Sequence, residues 1–136
     1  MSTKIRPKLS LKNPYYISKE RYYELKHFCL QYSEWNREIA SLRLFRGPIT
    51  GEKPANHNPG DPTGDIAVKI ARLRKRIDVL RDAISKLDPY MTDYIFEAVT
   101  EGKTFEYFQT RGIACGRVYF YDRYHEFFWH LDKVRE

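Results

Sequence analysis

Apolar residues recur at helical spacing along two long stretches of the chain. In the first, Leu25, Phe28, Tyr32, Trp35, Ile39 and Leu42 follow one another at steps of 3, 4, 3, 4 and 3. Alternating steps of this kind keep one stripe of a helix apolar. Ser18 lies just upstream, and a serine hydroxyl can accept a hydrogen bond from an otherwise unpaired amide of the first turn. The spacing predicts one helix from Ser18 to about Arg46. In the second stretch, Ile66, Ile70, Leu73, Ile77, Leu80, Ile84 and Leu87 follow at steps of 4, 3, 4, 3, 4 and 3. Ile70, Ile77 and Ile84 fall at one heptad position, and Leu73, Leu80 and Leu87 at the other. Isoleucine and leucine so divided favour a parallel two-stranded coiled coil, which makes these six residues the expected dimerisation seam. An antiparallel pairing with the first helix of the same chain would also bury both stripes. The pattern alone leaves the two arrangements open.

The punctuation between these stretches predicts the remaining elements. Residues 47–64 hold four Gly and four Pro, too many for regular structure, and read as a linker. Pro62 is compatible with the first turn of the second helix, where no amide is needed. Asp88-Pro89 stops that helix and starts a third, with Tyr94, Ile95, Ala98 and Val99 as its buried stripe and Gly102 as its terminator. A short helix is expected from Thr104 through Phe105 and Phe108 to Thr110, a sharp turn at Gly112, and a last helix from Cys115 or Gly116 to about Val134. No stretch alternates as a strand would. The expected fold is all-α: a long helical hairpin or coiled-coil arm followed by a helix-turn-helix module. Residues 1–16 read as a basic flexible arm, 17–87 as the two long helices with their linker, and 88–136 as the module.

Charge sharpens this division. The 136 residues carry a net charge of +6, distributed unevenly. Residues 1–46 hold ten basic and four acidic side chains, 65–87 seven and three, and 88–136 six and nine. The cluster Arg72, Arg74, Lys75 and Arg76 and the arm residues Lys4, Arg6, Lys8 and Lys12 supply most of the excess. Such patches attract nucleic acid or acidic partners. No apolar run reaches the length of a membrane span, and the basic N-terminal residues have no apolar segment behind them, so neither a membrane nor a secreted protein is expected. Cys29 and Cys115 stand far apart without a partner motif, which fits a reducing cytoplasm. His27, His57, His125 and His130 show no metal-ligand spacing. No phosphate-binding loop, dinucleotide motif or nucleophile elbow is present. The carboxylate pairs Glu97/Glu101 and Asp122/Glu126 read as solvated helix charges. Neither an enzyme nor a cofactor or small-molecule substrate is expected.

The segments Gly102-Lys103-Thr104-Phe105-Glu106-Tyr107-Phe108, Arg111-Gly112-Ile113-Ala114-Cys115 and Val118-Tyr119-Phe120-Tyr121 outline a helix, a glycine turn and a second helix. They resemble the helix-turn-helix of sigma factor region 4, and more specifically the small phage-encoded transcriptional activators of Gram-positive bacteria. The aromatic run from Tyr119 to Trp129 also resembles that group. The resemblance covers roughly residues 88–136. It implies a DNA-binding regulator in the cytoplasm of a bacterial host, dimeric, with double-stranded DNA as its partner. Gly112 matches the turn glycine, Val118 the buried aliphatic of the recognition helix and Tyr121 a later buried position. Phe108 departs from the motif, which places a small residue where the two helices cross, and predicts a wider crossing or an altered turn.

A helical wheel puts Val118, Tyr121, Tyr124, Phe128 and Leu131 on the inner side of the last helix. Tyr119, Asp122, Arg123, Glu126, His130 and Lys133 share the outer side. Base contacts are expected from Arg117, Tyr119, Phe120 and Arg123, since arginine pairs with guanine edges and aromatic groups meet thymine methyls. Phosphate contacts are expected from Arg72, Arg74, Lys75 and Arg76. Asp122 and Glu126 on the outer face oppose phosphate. Phe120 and Phe127 fall off the inner centre, so the surplus aromatics either pack against the first two helices or form an exposed patch, and such a patch would mark a protein partner. Two alternatives follow: a phage protein-binding module acting on RNA polymerase or a defence nuclease, and a small terminase subunit or other DNA-packaging adaptor that couples a helix-turn-helix to an oligomerising segment.

Overall fold

Ser18 starts the first helix as its hydroxyl predicts, with Oγ accepting from the Arg21 amide at 3.3 Å. The computed structural model describes residues 14–46 and 62–135. The expected arm and linker fall largely on residues 1–13 and 47–61, outside the described residues. Among the described residues there are six helices and no strand. They are α1 (Lys19–Leu30), α2 (Tyr32–Arg46), α3 (Pro62–Ile84), α4 (Thr92–Glu101), α5 (Phe105–Gln109) and α6 (Arg117–Val134). The fold is all-α, and no described helix is long and apolar enough to cross a membrane.

The helix expected over 18–46 is divided at Gln31. Its amide bonds back to the Phe28 carbonyl at 3.3 Å, and its side-chain Nε2 donates to the His27 carbonyl at 3.2 Å. A tightened turn with a side chain competing for the ladder is a known cause of a helix bend. The bend gives the two halves different neighbours: α1 faces α4 and α6, and α2 faces α3.

Three contacts fix how α2 lies on α3. The Tyr32 hydroxyl accepts from Arg81 at 3.0 Å, the Trp35 ring lies 6.0 Å from the Arg76 guanidinium, and Arg43 shares a groove with Ala67, Ile70 and Arg74. Numbers rise along one helix as they fall along the other, so the pair is antiparallel. Ile70, Leu73, Ile77, Leu80, Ile84 and Leu87 are all buried within the single chain. The expected dimerisation seam is therefore covered by the chain's own helices. Two stripes of the same period in one chain meet without a second copy, and a dimer through these residues would require the hairpin to open.

The last helix is the centre of the core. Phe120, Tyr124, His125, Phe127, Phe128 and Leu131 are buried, and α6 packs against α1, α3, α4 and α5. Neighbours on several sides bury an arc wider than one stripe. That corrects the wheel: Phe120 and Phe127, expected off the inner centre, are fully buried, while Val118, expected inside, is 74% exposed. Residues 88–135 thus share one continuous core with α1 and α3. Tyr15, at the end of the expected flexible arm, packs edge-on against Trp129 at 5.9 Å.

Glycines and tyrosines shape the chain ends of α4, α5 and α6. Gly102 adopts φ +72° and Gly112 φ +83°, conformations that side chains rarely tolerate. The Phe105 amide donates to the Tyr121 hydroxyl at 3.1 Å, and the Ala114 amide to the Tyr90 hydroxyl at 2.9 Å. Phenol groups from other elements thus satisfy amides that the short helix and the turn leave unpaired. Seven residues, 110–116, separate α5 from α6. A helix-turn-helix uses three or four. Phe108 packs between Tyr94 and Phe120, with ring centroids at 5.6 and 5.7 Å, where the motif would have a small side chain.

Candidate nucleic-acid interface

The start of α6 presents the side chains expected to read bases, and each of them is already engaged. Arg117 pairs with Glu106 across the turn. A hydrogen bond from its own amide, together with that ion pair, holds the Glu106 carboxyl below the usual range. The Tyr119 hydroxyl donates to Asp88 Oδ2 at 2.7 Å. This bond lowers the Asp88 carboxyl, helped by the Tyr90 amide, and raises the Tyr119 phenol. Arg123 lies 2.9 Å from Glu126 Oε1, with its guanidinium near the Tyr119 and Tyr15 rings at 5.0 and 5.8 Å. Glu126 also meets His130 Nε2 at 3.1 Å. Phe120 is removed from the base-reading set altogether: it is a core residue, ringed by Phe105, Phe108 and Tyr121. Its position on the buried arc of α6 leaves it no route to a groove.

The cations of α3 stand differently. Arg72, Lys75 and Arg76 lie at i, i+3 and i+4, so their side chains share one flank of the helix. That flank borders an open depression of about 350 Å³, whose remaining lining is Phe28, Val79 and Arg135. Basic heads therefore surround an apolar floor, and no carboxylate among the described residues lines it. Among the described residues no ion pair engages Arg72, Lys75 or Arg76. Arg74 points to the other flank, where it shares a groove with Arg43, Ala67, Ile70 and Ala71. The basic run expected to act as one cluster is split over two sides of α3, three cations on one and one on the other.

Arg135 was not expected at this site, because only the packing brings it there. Tyr119 near the start of α6 touches Asp88, and Arg135 just past its end meets the 72–79 stretch, so α6 runs antiparallel to α3. No local pattern around Arg135 announces that neighbourhood.

Other chemistry is sparse. Among the described residues no group of His, Cys, Asp and Glu side chains could hold a metal ion. Cys29 and Cys115 are free thiols, and burial pushes both up from their ordinary range, away from the reactive thiolate. The exposed apolar residues near the start of α6 are Val118, Tyr119 and Tyr90, a smaller patch than the aromatic run suggests.

No known protein family, curated protein or solved structure matches the chain.

Proposed function

We propose that the protein binds double-stranded DNA through its phosphate backbone, with Arg72, Lys75 and Arg76 of α3 as the principal contacts. One observation carries this reading: three cations on one helix flank, with no ion pair among the described residues, bordering a depression whose described lining holds no carboxylate. Cations so placed release the counterions condensed on DNA when they meet phosphates, and that release drives binding. Arg117, Tyr119 and Arg123 each have a carboxylate in hand, so reading a base would first require breaking an internal contact. The expected interaction is therefore tolerant of sequence, since phosphate contacts position a protein without specifying bases. A regulatory role of the kind the resemblance implies would need a further source of specificity.

The test is fluorescence anisotropy with labelled duplexes of unrelated sequence across a salt series. The three α3 contacts at ~0.9 each contribute about −2.7 to the slope of log K against log salt. The triple variant Arg72→Ala/Lys75→Ala/Arg76→Ala should lose nearly all of it. Wild-type protein that fails to bind at about 50 mM salt, or a triple variant that binds like wild type, would overturn the reading.

A further inference from the structure

We infer that Arg135 is a fourth phosphate contact, held beside the α3 cations at the rim of the depression between α1, α3 and α6 where the DNA backbone passes. The inference rests on the DNA-binding reading and extends it to a residue of another helix.

Arg135 is held at both its head and its backbone. Its guanidinium lies 4.1 Å from the centroid of the Phe28 ring, a cation–π contact that fixes the head over the apolar floor. The backbone beneath it is tied down by Arg21. That guanidinium donates to the Arg135 carbonyl, to the Asp132 carbonyl at 3.3 Å and to Asp132 Oδ1 at 2.6 Å. Arg21 thus satisfies carbonyls at the C-terminal end of α6, where cations are favoured. The residue that ends α6 is consequently ordered, and its side chain is presented to α3.

The electrostatics point the same way. Arg135 Nη1 lies 3.8 Å from Glu24 Oε2, a long contact, while Arg21 holds the other oxygen of Glu24 at 2.6 Å. Glu24 is thus closely paired with a different cation. Arg72, Lys75, Arg76 and Arg135 line the same depression with only Phe28 and Val79 between them. Four like charges gathered with no counter-charge among the described residues of the lining repel one another, and bound anions remove that repulsion. Guanidinium groups also suit a phosphate by geometry, since they offer paired donors.

The test is Arg135→Gln, which keeps most of the side-chain length and removes the charge, in the same salt series. Loss of one contact should flatten the slope by about 0.9, which is about eightfold weaker binding at 0.1 M salt. The thermal midpoint should stay at the wild-type value. An Arg135→Gln variant with wild-type slope and affinity, beside an α3 triple variant that loses both, would overturn the inference and leave the DNA reading standing. If neither variant changes binding, the DNA reading itself fails. A measurement on unaltered protein guards against a folding artefact. The Nε–Hε resonance of Arg135 should shift when a short duplex is added, and an unmoved resonance at saturation would overturn the inference.

Discussion

The flank of α3 and the start of α6 carry the same kinds of side chain and differ in how these are occupied. On α6, Arg117 faces Glu106, Tyr119 faces Asp88 and Arg123 faces Glu126. On α3, Arg72, Lys75 and Arg76 border a depression with no carboxylate among the described residues of its lining. A guanidinium already paired must lose one partner to gain another, and the exchange is close to neutral for exposed pairs. An unpaired one gains a phosphate and releases a counterion. A count of basic residues therefore says less about an anion site than a count of those without acids beside them.

The largest effect that sharpens this contrast is expected at Phe120. Phe120→Ala should lower stability by about 3–5 kcal/mol, as truncating a buried phenylalanine does. Denaturant unfolding reads this directly. A stably folded variant that lost only DNA affinity would return Phe120 to the base-reading role. Leu80→Ala, in the seam of the hairpin, should cost about 2–5 kcal/mol. Its melting midpoint should not depend on protein concentration, because the seam is closed within one chain. A midpoint that rises with concentration would place the pairing between chains.

Next in size is a pH effect from the core beneath α6. The Tyr22 and Tyr124 hydroxyls are 2.9 Å apart and buried. Burial pushes Tyr22 up to about 12 and Tyr124 well above its ordinary value. The folded chain keeps these protons, whereas the unfolded chain releases them near 10. The associated stability is complete below about pH 10 and falls as pH rises through about 12, by on the order of 2 kcal/mol for Tyr22. Melting curves should show that decline, and Tyr22→Phe/Tyr124→Phe should flatten it. An equally steep decline in the double variant would assign it elsewhere. The smallest effect is expected at the start of α6. Arg117→Ala/Arg123→Gln should change affinity for duplex DNA by less than about twofold, because removing paired cations releases no phosphate contact. A loss as large as that of the α3 triple variant would reverse the comparison.

Much of the helical layout is legible in the residues themselves. Ser18 as a cap, Gly102 and Gly112 as left-handed turns, and the limits of α6 follow from local chemistry that no distant neighbour overrides. Both apolar stripes mark buried faces for the same reason. The face of α6 is less legible, because a helix surrounded by four others buries more than a stripe and a wheel assumes one. The bend at Gln31 depends on which neighbours the two halves must meet. Ion-pair partners are the least legible feature. Glu106 lies eleven residues from Arg117 and Asp88 thirty-one from Tyr119, and only the folded chain joins them. The split of Arg74 from Arg72, Lys75 and Arg76 follows from helical geometry, whereas the arrival of Arg135 beside them depends on the antiparallel packing of α6 on α3.

The most direct measurement is chemical-shift mapping of isotope-labelled protein titrated with a short duplex at about 50 mM salt, where phosphate contacts are strongest. The account predicts perturbations centred on Arg72, Lys75 and Arg76, with Arg117, Tyr119 and Arg123 largely unmoved. Perturbations concentrated at the start of α6, with the α3 flank silent, would contradict it.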